Sequence, residues 1–303
     1  MTQPICLVGI GEIAKSQHIP SIAASTDWTL AATVSRAGTV DGIPSFTDFD
    51  AMLSERTDIR VVSLCLPPVP RYDYAKRAIA AGRHVMLEKP PGATIAEVQD
   101  LAARADAAGV TLFASWHSRM AKGVNAARAF LADKVVTSGH IDWKEHVTTY
   151  HPDQDWIFEP GGMGVFDPGI NALSILTHVL PQPVHLQKAE LKFPQNKFTP
   201  IAASLSFSRD ISMELDWLHE GDDQWEMTLH AGNDLVSLQD GGNRCVINNT
   251  QADGDDLEEY PALYDHMAKL VAAGTSDVDL APLVHVSDAM TLGRRVNVAP
   301  FSF

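Results

Sequence analysis

A glycine-rich turn near the start of the chain constrains the fold more than any other feature. Gly9–Ala14 reads G-x-G-x-x-A, between the apolar run Ile5–Ile10 and a helical pattern. The two glycines allow a tight turn and close approach of a pyrophosphate, and the small third position lets helix and strand pack. The sequence therefore predicts a strand–turn–helix unit that binds a dinucleotide, although a glycine-rich turn without a ligand is the alternative. The contacts predicted there are Gly9, Gly11, Glu12 and Ile13.

Apolar runs alternate with helical stretches through the first 115 residues. Such an alternation is typical of a doubly wound parallel sheet, the Rossmann fold. The predicted strands are Ile5–Ile10, Thr29–Val34, Arg60–Leu66, His84–Leu87 and Thr111–Ala114. The predicted helices are Ile13–Ala24, Phe49–Ser54, Tyr72–Ala81 and Ile95–Ala108.

The second half of the chain has a different pattern. Runs of alternating apolar and polar residues, separated by Gly, Asp, Asn and Pro, predict an open, mainly antiparallel sheet with one solvated face. We expect helices near Pro168–Leu180 and Leu263–Ala273, and a first strand over Ile141–Thr149. The fold class is thus α/β plus α+β. The predicted domains are a nucleotide-binding domain over 1–119 and a substrate-binding and oligomerisation domain over 120–303.

Charge and composition restrict the partners. The chain has 23 Lys and Arg against 38 Asp and Glu, a formal charge of −15, which disfavours nucleic acid, anionic lipid and acidic substrates. Three cysteines without a CxxC pair argue against a structural metal or a disulfide framework. No apolar run is long enough for a membrane helix, and the N-terminus lacks a basic signal region. We therefore expect a cytoplasmic protein with a small neutral or cationic substrate and no metal.

The end of the second predicted strand bears on the choice of nucleotide. NAD-binding chains carry a carboxylate there for the ribose 2′-hydroxyl, whereas this strand ends in Ser35 and Arg36. A hydroxyl and a guanidinium suit a 2′-phosphate. The sequence therefore favours NADP. NAD is one alternative, and a surface arginine that binds no ligand is the other.

A second motif, Glu88-Lys89-Pro90, directly follows the predicted strand His84–Leu87. Ligands bind outside the carboxyl ends of parallel strands, and Pro90 favours an extended Lys89. Lys89 is therefore a candidate for the site, and an exposed lysine that pairs with Glu88 is the alternative.

Three motifs together resemble the glucose-fructose oxidoreductase and inositol dehydrogenase (Gfo/Idh/MocA) family. They are the fingerprint Gly9–Ala14, the segment Ala80–Pro90 and the segment Gly161–Asn171. The resemblance implies a pyridine-nucleotide oxidoreductase that acts on a sugar, polyol or related compound. It also makes Leu66, Pro67, Glu88 and Lys89 expected cofactor contacts, and it makes the open sheet a candidate homodimer surface.

One position departs from the usual family pattern, because Asn171 stands where most members carry a histidine. An amide does not take a proton near neutral pH, so the acid–base role of that histidine does not carry over. The change resembles the branch that oxidises D-galactose and L-arabinose at C1. Asp167 is spaced i, i+4 from Asn171 and shares its helical face, although an N-cap before Pro168 is its alternative role.

Further polar residues are candidate sugar contacts. Glu145 lies on an apolar stripe of Ile141–Val147, where a buried carboxylate needs a partner such as a sugar diol or, alternatively, a Lys or Arg. His117 follows the fifth predicted strand. His151 and Trp156 lie in a polar loop before the third motif.

The resemblance, together with these residues, implies an NAD(P)-dependent aldose 1-dehydrogenase. It would oxidise D-galactose, L-arabinose or D-fucose at C1 to the lactone. Lys89 would polarise the reacting oxygen, Asn171 would orient the sugar, and Asp167 would accept the proton, with neutral Lys89 as the competing acceptor. The alternatives are a polyol or inositol dehydrogenase of the same family, or a nucleotide-binding sugar sensor without turnover.

Overall fold

The computed structural model describes residues 2–303, which form two compact units. One unit comprises the chain up to His117 together with Glu259–Asp279, and the other comprises Ser118–Glu258 with Leu280–Phe303. The sequence analysis places all residues from 120 to 303 in the second domain. In the structure, Glu259–Asp279 belong to the first unit instead. The physical reason is the apolar face of this segment, where Leu263, Tyr264 and Met267 are buried.

The first unit is built on a six-stranded sheet in the order β3-β2-β1-β4-β5-β6. Every neighbouring pair is parallel, which confirms the predicted Rossmann arrangement. The strands are β1 (Gln3–Val8), β2 (Trp28–Val34), β3 (Ser45–Phe46), β4 (Val61–Leu64), β5 (His84–Leu87) and β6 (Leu112–Ala114). The helices are α1 (Ile19–Ala24), α2 (Phe49–Glu55), α3 (Pro68–Ala80) and α4 (Ile95–Ala108), and Glu259–Ala273 is α8 in chain order.

The helix that the sequence predicts over Ile13–Ala24 is present, but its first turn is π-helical. Ala14–His18 form one π-helical turn, and the N–H of Ile19 donates to the carbonyl of Ala14. Pro20 has no N–H, so an α-helical bond to the residue four positions earlier is impossible there. The wider turn precedes α1 and ends at the fully buried His18.

The second unit contains a nine-stranded sheet in the order β14-β13-β12-β11-β7-β10-β9-β8-β15. Most pairs are antiparallel, as predicted, but β10 with β7 and β15 with β8 are parallel. The strands are β7 (Ser138–Lys144), β8 (Leu186–Pro194), β9 (Ala202–Phe207), β10 (Ile211–Asp216), β11 (Gln224–Ala231), β12 (Asp234–Gln239), β13 (Arg244–Ile247), β14 (Thr250–Gln251) and β15 (Arg294–Val298).

The helices of the second unit are more numerous than the sequence predicts. They are α5 (Val124–Leu131), α6 (Val147–Tyr150), α7 (Phe166–Val179) and α9 (Ala281–Leu292). The strand predicted over Ile141–Thr149 ends at Lys144, because Val147–Tyr150 turn into α6 with the His146 side chain as N-cap. The buried stripe of Ile141, Trp143 and Glu145 is nevertheless present.

Three further properties concern the chain over residues 2–303. None of its helices combines the length and the apolar character that a bilayer span requires. Cys6, Cys65 and Cys245 are free thiols. No three His, Cys, Asp or Glu side chains gather into a metal-binding group in this part of the chain.

Candidate functional site

The glycine-rich turn follows β1 directly and is shaped by its first glycine. Gly9 has φ +90°, and a Cβ there would lie 3.0 Å from Leu66 Cδ2 and 3.2 Å from the backbone of Cys65. Gly11 has no described atom within 4 Å of its Cβ position, so its backbone stays accessible. Glu12 and Ile13 are exposed where the helix begins. The turn therefore meets the requirements for a bound pyrophosphate.

Ser35 and Arg36 follow β2 and have different roles in the turn. Ser35 Oγ accepts hydrogen bonds from the N–H groups of Ala37 and Gly38, at 3.1 and 3.2 Å. The serine thus shapes the turn, while its hydroxyl hydrogen remains a donor. Arg36 is exposed and forms no ion pair with any residue from 2 to 303. Its guanidinium is free to bind an anion such as a 2′-phosphate.

Lys89 lies two residues after β5 and is partly buried. Its backbone N–H donates to Glu88 Oε2 at 2.7 Å, and the Lys89–Pro90 peptide is cis. The guanidinium of Arg71 donates to the carbonyl oxygens of Glu88, Pro90 and Leu66. Arg71 therefore joins the segments that follow β4 and β5, which contain the predicted contacts Leu66, Pro67 and Lys89.

Glu88 is only 4% exposed, and its carboxylate is held inside the first unit. Oε1 accepts hydrogen bonds from His18 Nε2 at 3.0 Å and from the Tyr260 hydroxyl at 2.8 Å. Burial raises the pKa of Glu88, but the hydrogen bond and charge of His18 outweigh it and lower the pKa to about 2. The described contacts of Glu88 are thus with protein groups, and its predicted contact with the cofactor stays a prediction.

His117 also belongs to the first unit. Its Nδ1 lies 2.5 Å from Glu259 Oε2, and its ring stacks on Tyr260 with centroids 5.4 Å apart. These contacts fix the imidazole on α8. Its role as a sugar contact remains a prediction.

In the second unit, Asp167 and His151 form a close pair. Asp167 is in the first turn of α7, 8% exposed, with its Oδ2 3.1 Å from His151 Nε2. The α7 helix has Val165 at its N-cap and no side-chain cap bond, so the alternative of Asp167 as an N-cap is wrong. The Asp167 carboxylate and the His151 imidazole therefore form a close acid–base pair.

The surroundings of His151 determine where its proton lies. Trp156 Nε1 donates to Gln154 Oε1 at 3.2 Å, which makes that oxygen an acceptor. His151 Nδ1 lies 3.3 Å from the same oxygen and therefore carries a hydrogen. The remaining nitrogen, Nε2, faces Asp167 and is the position where this pair can take up one more proton.

The glycines before α7 allow this arrangement. Gly164 has φ +55°, and a Cβ there would lie 2.2 Å from the carbonyl oxygen of Pro200. Asn171 lies one turn after Asp167 on α7 and is partly buried. The third motif thus places a carboxylate and an amide on one helical face, as the spacing predicts.

Glu145 is 5% exposed and is oriented by two indoles. Trp217 Nε1 donates to Oε1 at 3.1 Å, and Trp225 Nε1 donates to Oε2 at 3.0 Å. The two bonds offset part of the cost of burying the carboxylate. A carboxylate oxygen can accept more than one hydrogen bond, which is the chemistry that binding a diol requires.

Several residues of these clusters escaped the sequence analysis, although Arg71 and Tyr260 each carried a local signal. Arg71 shares a helical face with the buried Ala75, Ala78 and Ile79. A charged residue on an apolar stripe indicates a buried polar role. Tyr260 precedes Tyr264 by four residues on the buried face of α8 in the same way. Trp225 gave no local signal, since its partner Glu145 is distant in sequence.

The chain is similar to known proteins over its whole length. Residues 4–115 match the GFO_IDH_MocA family, described as an oxidoreductase family with an NAD-binding Rossmann fold. Galactose 1-dehydrogenase of Pseudomonas fluorescens is 38% identical over 99% of both chains. The crystal structure of D-galactose-1-dehydrogenase from Rhizobium etli has a TM-score of 0.94 and 48% identity, and the match covers 100% of this chain and 99% of that one.

A more distant structure has the same fold. KijD10, a 3-ketoreductase from Actinomadura kijaniata solved with TDP-benzene and NADP, has a TM-score of 0.82 at 17% identity. The match covers 98% of this chain and 100% of that chain.

Proposed function

Because the chain belongs to the Gfo/Idh/MocA oxidoreductase family, we propose that it oxidises D-galactose at C1 to the lactone, with NADP⁺ as the preferred acceptor. The observation that carries the proposal is the full-length similarity to two galactose 1-dehydrogenases, at 38% and 48% identity. L-Arabinose and D-fucose are proposed as further substrates, because they share the galacto configuration of the ring hydroxyls.

The nucleotide, when bound, supplies the acceptor for the hydride that leaves C1. The chain must remove the proton of the C1 hydroxyl in the same reaction. We assign that proton to Asp167, whose carboxylate is paired with His151 Nε2. His151 can take the proton on from Asp167, because its Nδ1–H is held by Gln154. Asn171 would orient the C1 hydroxyl or the ring oxygen.

Lys89 has the complementary role in this proposal. A positive charge on its Nζ would polarise the C1 oxygen and stabilise the negative charge that develops there. Neutral Lys89 is the competing proton acceptor. The two assignments predict different effects of substituting Asp167, and they can be separated by kinetics.

The preference for NADP rests on Arg36. An exposed guanidinium without an ion pair among residues 2–303 suits a phosphate ester, and the overall charge of −15 makes such a local cation more important. The hydroxyl hydrogen of Ser35 is a further donor. NAD remains the second acceptor to test.

Sugar selectivity is assigned to four individual side chains. We propose that Glu145 binds two adjacent hydroxyls of the sugar, and that His117, His151 and Trp156 complete the recognition. A hydroxyl of the wrong configuration would leave buried polar groups without partners. Discrimination against D-glucose, the C4 epimer of D-galactose, follows from this assignment.

The test is the formation of reduced nicotinamide with a panel of sugars and either nucleotide, followed by its near-ultraviolet absorbance. We expect turnover with D-galactose and L-arabinose, little with D-glucose, and a higher kcat/KM with NADP⁺ than with NAD⁺. A preference for myo-inositol would favour the polyol dehydrogenase. Tight sugar and nucleotide binding without turnover would favour the sensor.

The last part of the proposal concerns assembly and location. We propose a cytoplasmic enzyme, consistent with three free thiols, and a homodimer formed through the open face of the nine-stranded sheet. That face carries polar residues such as Asp142, Lys144 and Glu214. A dimer there would bury charged groups, and light scattering across a range of salt concentrations tests it.

A further inference from the structure

A buried hydrogen-bonded network lies behind Lys89 in the first unit. It contains His18, Glu88, Tyr260 and Tyr264, whose exposed fractions are 0, 4, 5 and 1%. The Tyr264 hydroxyl lies 2.7 Å from His18 Nδ1, and His18 Nε2 lies 3.0 Å from Glu88 Oε1. We refer to these four side chains as the His18–Glu88 network.

The network joins segments that are far apart in sequence. His18 is the last residue of the π-helical turn that follows the glycine-rich loop. Tyr260 and Tyr264 lie four residues apart on α8, and Trp28 Nε1 anchors this helix by donating to the carbonyl of Tyr264 at 2.9 Å. The network therefore connects the nucleotide loop, β5 and α8 through side chains alone.

The two carboxylate oxygens of Glu88 accept hydrogen bonds from different donors. Oε1 accepts from His18 and Tyr260, whereas Oε2 accepts from the backbone N–H of Lys89 at 2.7 Å. Pro90, the residue after Lys89, has no backbone N–H and cannot donate a hydrogen bond of its own. The carboxylate of Glu88 is thus a direct link between the buried network and the backbone of Lys89.

The charges agree with this geometry. Burial lowers the pKa of His18, but the neighbouring Cys65, Tyr264 and Glu88 outweigh it, so the pKa of His18 is raised. The pKa of Glu88 is lowered to about 2, because the contacts with His18 and Tyr260 outweigh the effect of burial. Tyr264 contacts His18 and Tyr260 donates to Glu88, so both members of the buried pair have hydrogen-bond partners.

We propose that His18 and Glu88 are positioning residues for Lys89, which act by fixing its backbone through the Glu88 Oε2 bond. The proposal rests on the catalytic role assigned to Lys89 above. Glu88 holds the lysine backbone in place, and His18 and Tyr260 hold Glu88. In this proposal the function of Glu88 is to fix the backbone position of Lys89.

A double-mutant cycle tests whether the network acts through Lys89. Glu88→Gln keeps the shape of the side chain and removes its charge. We expect kcat to fall about 10- to 100-fold, with less than about a threefold change in the Kd of NADP⁺. In the Lys89→Met background, the same substitution should change the residual rate by less than about threefold. Equal losses in both backgrounds would overturn the proposal.

Conservative substitution and a matched control separate positioning from stability. His18→Gln retains a donor for Glu88 and should keep most of the kcat that His18→Leu loses. Leu101→Ala, a fully buried position on α4, should lower the Tm without lowering kcat. If Leu101→Ala lowers kcat as much as His18→Leu at equal loss of Tm, the network is only structural and the proposal fails.

A measurement without sugar distinguishes this inference from the proposed function. Amide hydrogen exchange in the segment 84–92 should be at least about tenfold faster in His18→Leu than in the wild type. Unchanged exchange would overturn the inference even if galactose is oxidised. Faster exchange with no oxidation of any sugar would contradict the proposed function. It would still support the role of the His18–Glu88 network in fixing the Lys89 backbone. An active Lys89→Met variant would overturn the catalytic role of Lys89 and the positioning role that rests on it, while the oxidation of galactose would stand.

Discussion

In the first unit, the groups assigned to the nucleotide follow the strands one motif at a time, whereas in the second unit the polar groups come from separate elements. Gly9, Arg36 and Lys89 each follow a parallel strand within two residues. Glu145, His151 and Asp167 come from the end of β7, a loop and α7, and each depends on partners elsewhere in the chain.

The difference teaches where substitutions should act. A Rossmann sheet positions its ligand groups through local turns, so a change there should affect one function at a time. The second unit holds its polar groups through shared side-chain bonds, so a change there should spread to the partners. The predictions below test this contrast.

The largest effect is expected for Lys89→Met. Loss of a charge that acts on the developing negative charge should lower kcat by about a thousandfold or more, with NADP⁺ affinity nearly unchanged. Steady-state kinetics and nucleotide titration measure both quantities. Lys76→Met, an exposed position on α3, is the control and should behave as wild type. A variant that keeps a tenth of the wild-type kcat would show that Lys89 is not catalytic.

Asp167→Asn and His151→Asn should show the coupling expected of the second unit. The aspartate substitution should lower kcat by about 10²- to 10³-fold, and the histidine substitution by a smaller factor. In the double variant the losses should combine less than multiplicatively, because the pair acts as a unit.

The exposed Asp253→Asn serves as the control for this pair. Multiplicative losses in the double variant would mean that Asp167 and His151 work independently. An Asp167→Asn variant with near-normal kcat would transfer the role of proton acceptor to Lys89.

Arg36→Ala should change nucleotide selection alone. Losing the contact with the 2′-phosphate should raise the KM for NADP⁺ about 10- to 100-fold and leave the KM for NAD⁺ nearly unchanged. Arg60→Ala, exposed before β4, should alter neither constant. An equal rise for both nucleotides would place the role of Arg36 in folding or in general phosphate attraction.

The smallest effect is expected in the pH dependence of the free energy of unfolding. The pKa of Glu88 is about 2 in the folded chain against an ordinary 4.5, so its ionised form stabilises the fold above about pH 4.5. That contribution fades as the pH falls towards about 2.

In urea unfolding, the advantage of wild type over Glu88→Gln should therefore shrink by about 2 kcal/mol between about pH 5 and pH 3. A difference in unfolding free energy that does not change with pH would show that Glu88 is not held as a carboxylate.

The sequence predicts the first unit more completely than the second, for physical reasons. The bounds of β5 and α4 were predicted to the residue, because strand and helix signals there are local and the capping box of Thr94 and Glu97 is strong. The π-helical turn was not predicted, since it depends on the backbone around Pro20. The helix Val147–Tyr150 was not predicted either, because its residues favour strands.

The candidate site shows the same division. The spacing of Asp167 and Asn171 on one helix could be predicted because it is a local period. The pairing of Asp167 with His151, and of Glu145 with Trp217 and Trp225, depends on contacts across 16 to 80 positions. No short motif carries that information, so only the folded chain reveals it.

The transfer of deuterium from C1 of labelled D-galactose tests the central claim most directly. If the chain oxidises the C1 position, NADP⁺ incubated with C1-deuterated D-galactose should yield deuterated NADPH and an unlabelled lactone, both identified by mass spectrometry. Oxidation at another ring carbon would yield unlabelled NADPH and a keto-aldose that retains its deuterium at C1. That second result would contradict the assignment of this chain as an aldose 1-dehydrogenase.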